Sequence, residues 1–236
     1  MGLDFKSQRV LVVGASGGIG AATARAFTDA GARVVAAGRP SGRLQAIADE
    51  VGSPAAELDI LDNGAIEAFF AREDAFDHVA ITAAATKTGP VGALALDDAR
   101  ASMESKFWGA YRVARAARVI DSGSITFVSG FLAVRPSPGA VLQGAINAAV
   151  EALGRGLALE RAPVRVNTVS PGLINTPLWR AMPGEKREAL FGKTAKSLPV
   201  QRVGRPEDIA QAILFLAASS FATGTTVTVD GGGSIA

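Results

Sequence analysis

Short apolar runs alternate with amphipathic stretches along the whole chain, and this alternation limits the possible folds more than any other feature. Seven runs, most of them rich in Val and Ile, have the composition of strands that are buried on both faces. They are Arg9–Val13, Arg33–Ala37, Ala55–Leu58, His78–Ile81, Ser124–Val128, Val164–Val169 and Thr225–Val229. The stretches between them with helical periodicity are Gly18–Ala30, Ser41–Val51, Asp62–Ala71, Leu96–Arg118, Gly139–Arg161 and Pro206–Ala218. This order predicts an α/β fold with a doubly wound, seven-stranded parallel sheet and helices on both faces.

The overall composition is that of one folded domain spanning 1–236. Hydrophobic residues make up 48% of the 236 residues, which is enough for a large core. The net charge is only +2 without a basic run, so we expect no nucleic-acid partner. No apolar run reaches the length of a membrane span, and Met1–Val10 does not resemble a signal peptide. We therefore expect a cytoplasmic protein with no membrane partner.

The chain is poor in residues that bind metals or act as nucleophiles. It has no cysteine, so a disulfide, a thiol nucleophile and a cysteine-bound zinc are excluded. Its only histidine, His78, follows Asp77 at the entry to an apolar strand, where a structural role is expected. We predict no metal site.

One long stretch, Ser170–Arg205, is predicted to be irregular. It carries the apolar side chains of Leu178, Trp179, Met182, Leu190 and Phe191 among prolines and glycines. Apolar residues in a long loop indicate either a lid over a ligand or a contact between subunits. We expect a lid over the substrate at about 170–205.

A glycine-rich loop joins the first strand to the first helix and predicts a dinucleotide site. Gly14 permits the tight turn, while Gly18 and Gly20 let the backbone approach a pyrophosphate at the helix N-terminus. The fold is therefore expected to be of the Rossmann type. The predicted loop residues are Gly14, Ser16, Gly17, Gly18, Ile19 and Gly20.

The same loop also matches G-x-S-x-G, the nucleophile elbow of α/β-hydrolases, through Gly14, Ser16 and Gly18. The order of elements disfavours this alternative. A hydrolase elbow follows several strands and precedes its acid and histidine, whereas this loop follows the first strand and His78 lies at a strand entry.

The end of the second strand indicates which dinucleotide is bound. An NAD site usually has an acidic residue there for the ribose 2′-hydroxyl, but this strand ends in Gly38 and Arg39. Arg39, together with Arg43, is suited to a 2′-phosphate. We predict NADP as the cofactor, with NAD less favoured, and Asp59 beside the adenine.

Taken together, the motifs resemble those of the short-chain dehydrogenase/reductase (SDR) family over essentially the whole chain. The matching segments are 12–20, Asp59, 166–172, 204–208 and 229–232. The resemblance implies NAD(P)-dependent oxidoreductase activity on a small molecule and assembly into a homotetramer or homodimer. It also implies further cofactor contacts at Ile60, Ala83, Ala84, Asn147, Pro171, Gly172, Ile174 and Thr176.

The four residues that the family uses in catalysis are all replaced. Members of the family have Asn on the fourth helix, Ser after the fifth strand, and Tyr and Lys in a YxxxK motif; Tyr transfers the proton on the substrate oxygen. At the matching positions this chain has Lys106, Gly130, Gln143 and Asn147. Ser129, next to Gly130, takes the serine's place if the loop slips by one residue.

Two functions follow from these replacements. Gln143 cannot deliver a proton at neutral pH, so either another group serves as the acid or turnover is impaired. The first alternative is an NADP-dependent oxidoreductase acting on an unknown carbonyl or alcohol, with Lys106, Lys87 or Ser129 as the acid. The second is a cofactor-binding sensor or structural subunit. The only tyrosine, Tyr111, is expected in the core.

Overall fold

A computed structural model describes residues 3–236 and contains the predicted seven-stranded parallel sheet. The strand order is β3-β2-β1-β4-β5-β6-β7. Every pair of neighbouring strands is parallel. The strands are β1 Arg9–Val13, β2 Arg33–Gly38, β3 Ala55–Glu57, β4 Phe76–Ile81, β5 Val119–Val128, β6 Arg165–Pro171 and β7 Thr226–Val229. The predicted fold class is confirmed, and β5 begins five residues before the predicted Ser124.

Residues 3–236 form eight α-helices, and six of them pack on the two faces of the sheet and enclose two apolar cores. They are α1 Gly18–Asp29, α2 Gly42–Glu50, α3 Asn63–Arg72, α4 Leu96–Met103, α5 Gly109–Ala116, α6 Val141–Glu160, α7 Gly184–Ser197 and α8 Pro206–Ala218. On one face α1, α2 and α8 contribute side chains such as Phe27, Leu44 and Ile213 to the core. On the other face α3, α5 and α6 contribute Ile66, Val113 and Val150.

The single helix predicted over Leu96–Arg118 is interrupted. A π-helical turn, Glu104–Trp108, separates α4 from α5, and the Gly109 amide donates to the carbonyl of Glu104 five residues back. One extra residue in a turn rotates the side chains that follow it. The wide turn contains Lys106. The predicted core position of Tyr111 is also wrong, because the residue is 39% exposed and its ring packs edge-on against Trp108.

The prediction of an irregular stretch over 170–205 is wrong in its middle part. Pro177–Ala181 forms a 3₁₀ turn, and α7 follows it. None of the α7 residues is buried, and its half-buried face, which includes Leu190 and Phe191, is only partly apolar, so its periodic signal is weak. Within residues 3–236, no helix combines the length and the apolar character that crossing a bilayer requires.

His78 has the structural role expected of it. Its Nδ1 lies 2.8 Å from Ser124 Oγ and its Nε2 lies 2.9 Å from Gln8 Oε1. The imidazole packs against the rings of Phe5 and Phe27. Burial, reinforced by the positive charge of Arg165, lowers the pKa of His78 to about 4. The ring is therefore neutral at ordinary pH and both of its nitrogens are occupied.

Candidate functional site

The glycine loop lies at the carboxyl edge of the sheet, where the strand order reverses. β1 pairs with β2 on one side and with β4 on the other, so the chain that leaves β1 enters the crevice between them. Gly14 has a φ of 92°, a conformation that favours glycine. A Cβ on Gly14 would lie 2.6 Å from the amide nitrogen of Ala83, which follows β4. The loop after β4 therefore packs directly on the glycine turn.

The start of α1 leaves room for a ligand's phosphates to approach the backbone. A Cβ on Gly20 would lie 2.1 Å from the carbonyl oxygen of Gly14, so no other residue fits there. Gly17 is the N-cap residue, and in the described part of the chain no side chain caps this helix. Uncapped amides at a helix N-terminus attract anions.

The residues predicted to contact the adenosine half lie around the ends of β2 and β3. The hydroxyl of Ser16 approaches the end of β2, since a Cβ on Gly38 would lie 3.8 Å from Ser16 Oγ. Arg39 follows at once and is exposed, with no hydrogen bond to any residue between 3 and 236. Asp59 is half-buried, and its carboxylate accepts from the Leu61 amide at 3.0 Å. Ile60 is buried under α5.

The segment after β6 returns to the same loop. Thr176 and Pro177 pack on Gly18 so closely that a Cβ there would lie 2.9 Å and 2.8 Å from their side chains. Gly172 donates its amide to the Val229 carbonyl at 3.1 Å. Ile174 is buried in the core beneath α8. Thr176 thus contacts the glycine loop, whereas the Ile174 side chain belongs to the core.

Gly130 and Asn147 touch each other beyond the end of β5. Asn147 is 2% exposed, and a Cβ on Gly130 would lie 2.7 Å from its Nδ2. The φ of Gly130 is 167°, an extended conformation open to any residue, so glycine is required by space alone. One turn earlier on α6, Gln143 donates from Nε2 to Asn147 Oδ1 at 3.2 Å. Its buried Oε1 has no partner within residues 3–236.

Lys106 reaches the residue next to Gly130 from the π-helical turn. Its Nζ donates to the carbonyl oxygen of Ser129 at 2.8 Å, immediately before Gly130. Burial of the ammonium lowers the pKa of Lys106 to about 8, against the charge of Glu151, which raises it. Three of the predicted catalytic residues are therefore connected around Gly130: Asn147 touches it, Gln143 donates to Asn147, and Lys106 donates to the residue before it.

Comparison with known proteins identifies the family. A family described as Enoyl-(Acyl carrier protein) reductase matches residues 14–234. The Short-chain dehydrogenase/reductase ATR9 of Stachybotrys chlorohalonatus (strain IBT 40285) is 33% identical, with 97% of each chain covered. The 2,3-dihydro-2,3-dihydroxybenzoate dehydrogenase of Escherichia coli (strain K12) is 32% identical, with 99% of each covered.

The chain is a short-chain dehydrogenase/reductase. Solved structures agree with this assignment. A small-chain dehydrogenase in complex with NADPH is 33% identical with a TM-score of 0.83, and covers 97% of this chain and 99% of its own. A short-chain dehydrogenase/reductase from Brucella melitensis is 28% identical with a TM-score of 0.91, with 98% of each chain covered. As a member of this family, the protein is an oxidoreductase.

This SDR differs from the family pattern in the placement of its lysine and asparagine. The family has asparagine on the fourth helix and lysine in the YxxxK motif. Here lysine (Lys106) occupies the position of the family's helix asparagine, and asparagine (Asn147) occupies the position of the lysine in the motif. The two residue types are therefore exchanged. Ser129 is buried, and its hydroxyl donates to Glu151 Oε1 at 2.8 Å. This hydroxyl is therefore engaged with α6 and does not take the place of the family's serine, which falls on Gly130.

Two polar residues beside this site, Glu151 and Ser170, were not predicted as site residues. Glu151 is one turn beyond Asn147 on α6, and its Oε1 also accepts from Ser170 Oγ at 3.1 Å. The spacing of Gln143, Asn147 and Glu151 was the available signal, since residues four apart share a helix face.

Lys87, which was predicted as an alternative acid, ion-pairs with Asp98 at the surface. No cluster of metal-ligating side chains occurs in 3–236.

Proposed function

We propose that this protein transfers hydride between NADP(H) and a small carbonyl or alcohol, with Lys106 in place of the family's tyrosine as the proton donor. The hydrogen bond of the Lys106 ammonium to the Ser129 carbonyl, next to Gly130, is the observation that carries the proposal. The family membership supports oxidoreductase chemistry. The cofactor preference and the identity of the acid rest on this chain's own residues.

The glycine turn fits the pyrophosphate of the cofactor. Side chains at Gly14 and Gly20 would collide with backbone atoms, so the space above the loop stays open. The uncapped N-terminus of α1 supplies amide donors and a positive dipole for phosphate oxygens. Ala83, Ala84 and Asn147 would hold the nicotinamide ribose, and Pro171, Gly172 and Thr176 would face the nicotinamide. The Asn147 amide, which can donate and accept, would take the place of lysine at the ribose hydroxyls.

Arg39 supports NADP over NAD. Its guanidinium is exposed at the end of β2 and Ser16 lies near that strand end, while no carboxylate follows the strand to repel a phosphate. A guanidinium and a hydroxyl together suit a 2′-phosphate. The related small-chain dehydrogenase solved with NADPH supports the same choice.

Lys106 is suited to proton donation because burial brings its pKa to about 8, near neutral pH. When bound, the cofactor supplies the hydride that adds to the carbonyl carbon of the substrate. The carbonyl oxygen then takes a proton from the Lys106 ammonium, which also stabilises the developing negative charge. Lys106 is left as a neutral amine and regains its proton from water. The hydrogen bond to Ser129 holds the amine within the site in both states.

The segment 170–205 is proposed to cover the substrate. Its Thr176 and Pro177 contact the glycine loop, while α7 has no fully buried residue, and weakly buried elements open at low free-energy cost. Such a segment is suited to close over a ligand bound at the sheet edge.

The experiment is a set of reductions of aldehydes and ketones by NADPH, followed at the nicotinamide absorbance. We expect measurable turnover in the wild type and a loss of about a hundredfold or more in Lys106→Ala, the usual effect of removing a general acid. Lys87→Ala is the matched control, because that lysine is held in a surface ion pair, and it should retain full activity. Equal activity of the two variants would reject Lys106 as the acid.

A second candidate function is a cofactor-binding sensor or structural subunit. The observation that favours it is the Gln143 amide, which stands where the family has its acid and is hydrogen-bonded to Asn147. Calorimetry that gives tight NADPH binding, with no turnover of any carbonyl tested, would support it. A variant that restores the family residues (Lys106→Asn, Gly130→Ser, Gln143→Tyr, Asn147→Lys) should then gain activity that the wild type lacks.

A further inference from the structure

The inward face of α6 carries a polar stripe within an apolar surface. Gln143, Asn147 and Glu151 follow one another at intervals of four residues and are all buried. The buried residues beside them include Ile146 and Val150. Ionised carboxylates are rarely buried without a partner, because removing the charge from water is costly. The burial of Glu151, which is 7% exposed, therefore needs an explanation.

Hydrogen bonds from two serines hold this carboxylate. Ser129 Oγ and Ser170 Oγ both donate to its Oε1, at 2.8 Å and 3.1 Å. Ser129 follows β5, and Ser170 is near the end of β6. The amide of Ser129 also donates to the Val169 carbonyl at 2.9 Å, which joins these two strand ends directly. Glu151, on α6, thus fixes the position of Ser129.

Ser129 is also the residue that binds Lys106. Its carbonyl accepts from Lys106 Nζ while its hydroxyl donates to Glu151, so one residue links the ammonium to the carboxylate. Within the described chain, neither Lys106 nor Glu151 takes part in a direct ion pair. Their interaction is therefore one of charges at longer range, with a shared hydrogen-bonding residue between them.

Within residues 3–236, Glu151 is the charged group that acts on the pKa of Lys106. On its own helix, Glu104 pairs with Arg112. On α6, the other charged side chains, Arg155 and Glu160, are exposed. The end of β5 offers the Ser129 carbonyl. A neutral glutamine at 151 could still accept from both serines, so the property that only the carboxylate supplies is its negative charge.

We propose that Glu151 is a positioning residue that, acting through Ser129, holds the Lys106 ammonium charged and in place beside Gly130 and Asn147. This inference rests on the proposed function of Lys106 and adds a buried counter-charge to it. The carboxylate opposes the burial that drives the lysine towards its neutral form. Ser129 keeps the acceptor for the ammonium at a fixed distance from that carboxylate.

The test is a direct titration of Lys106 by NMR, using lysine labelled with ¹³C and ¹⁵N in the full-length protein, with Lys106→Arg to assign its signal. In Glu151→Gln the midpoint should move to lower pH by roughly half a unit or more, because the lost charge no longer favours the ammonium. Ser129→Ala keeps the carbonyl that accepts from Lys106 and the charge of Glu151, so it should change the midpoint less than Glu151→Gln does. Glu160→Gln removes an exposed charge from the same helix and should leave the midpoint unchanged.

An unchanged Lys106 midpoint in Glu151→Gln would overturn the proposal, whatever its effect on thermal stability. This readout does not depend on turnover. A wild type that reduces no carbonyl, but whose Lys106 midpoint falls in Glu151→Gln, would reject the proposed function and retain the coupling. A wild type whose activity depends on Lys106, but whose midpoint does not respond to Glu151, would do the reverse.

Discussion

Restoring a side chain at Gly130 should destabilise the protein as long as Asn147 is present. A Cβ at position 130 would lie 2.7 Å from Asn147 Nδ2, well inside the 3.4 Å at which ordinary contact begins. Asn147 is buried and its Oδ1 accepts from Gln143, so it cannot turn away without losing that hydrogen bond. Overpacking of this kind costs about 1–3 kcal/mol. In a chain of this size that corresponds to a fall in Tm of about 2–4 °C per kcal/mol.

The assay is a double-mutant cycle with Gly130→Ala, Asn147→Ala and the pair, measured by thermal and urea unfolding. Gly130→Ala should be destabilising in the wild type and nearly neutral in Asn147→Ala, because the smaller side chain removes the collision. Gly156→Ala, in the open middle of α6, is the control and should stabilise by about 0.5–1 kcal/mol. Equal effects of Gly130→Ala in both backgrounds would refute the proposed contact.

Three further predictions concern stability, the cofactor and assembly. His78 has a pKa of about 4 in the folded protein, against an ordinary value of 6.5. Its neutral ring therefore contributes fully to the free energy of unfolding above pH 6.5, and this contribution is lost as the pH falls towards 4. That loss should be roughly 3 kcal/mol in the wild type and largely absent in His78→Gln. If urea unfolding gives both proteins the same dependence of stability on pH, this prediction is wrong. Arg39→Ala should weaken NADPH binding about tenfold or more in calorimetry and spare NADH, and Arg155→Ala should change neither. Because Trp108 and Tyr111 are exposed side by side, light scattering should give a dimer or tetramer, and a monomer at micromolar concentration would contradict this.

The glycine loop and the last helix could be predicted because local chemistry determines them. Gly14 and Gly20 occupy positions where any side chain would collide with backbone, so their pattern is visible in the sequence. The helix that begins at Pro206 has acidic residues in its first turn, and the Asp208 carboxylate accepts from the Arg205 amide at 2.7 Å. Both signals act over a few residues, and their outcome does not depend on distant partners.

The features that were missed depend on tertiary structure or lack a periodic signal. The π-helical turn at Glu104–Trp108 adds one residue to a helical pattern and leaves the apolar spacing nearly intact. The helix α7 has no fully buried residue and only a partly apolar inner face to mark it. The spacing of Glu151 from Asn147 was visible, but its partners Ser129 and Ser170 lie on separate strands. Only the folded chain brings these groups together.

The pH dependence of carbonyl reduction tests the central claim most directly, because Lys106 must carry a proton at the moment of hydride transfer. The rate of the chemical step with NADPH should be level below about pH 8 and fall about tenfold for each pH unit above it, following the pKa of about 8 of that ammonium. Lys106→Ala should be slow throughout and lack this break. A wild-type rate that is the same at about pH 6 and about pH 10, or a break that persists in Lys106→Ala, would contradict the account.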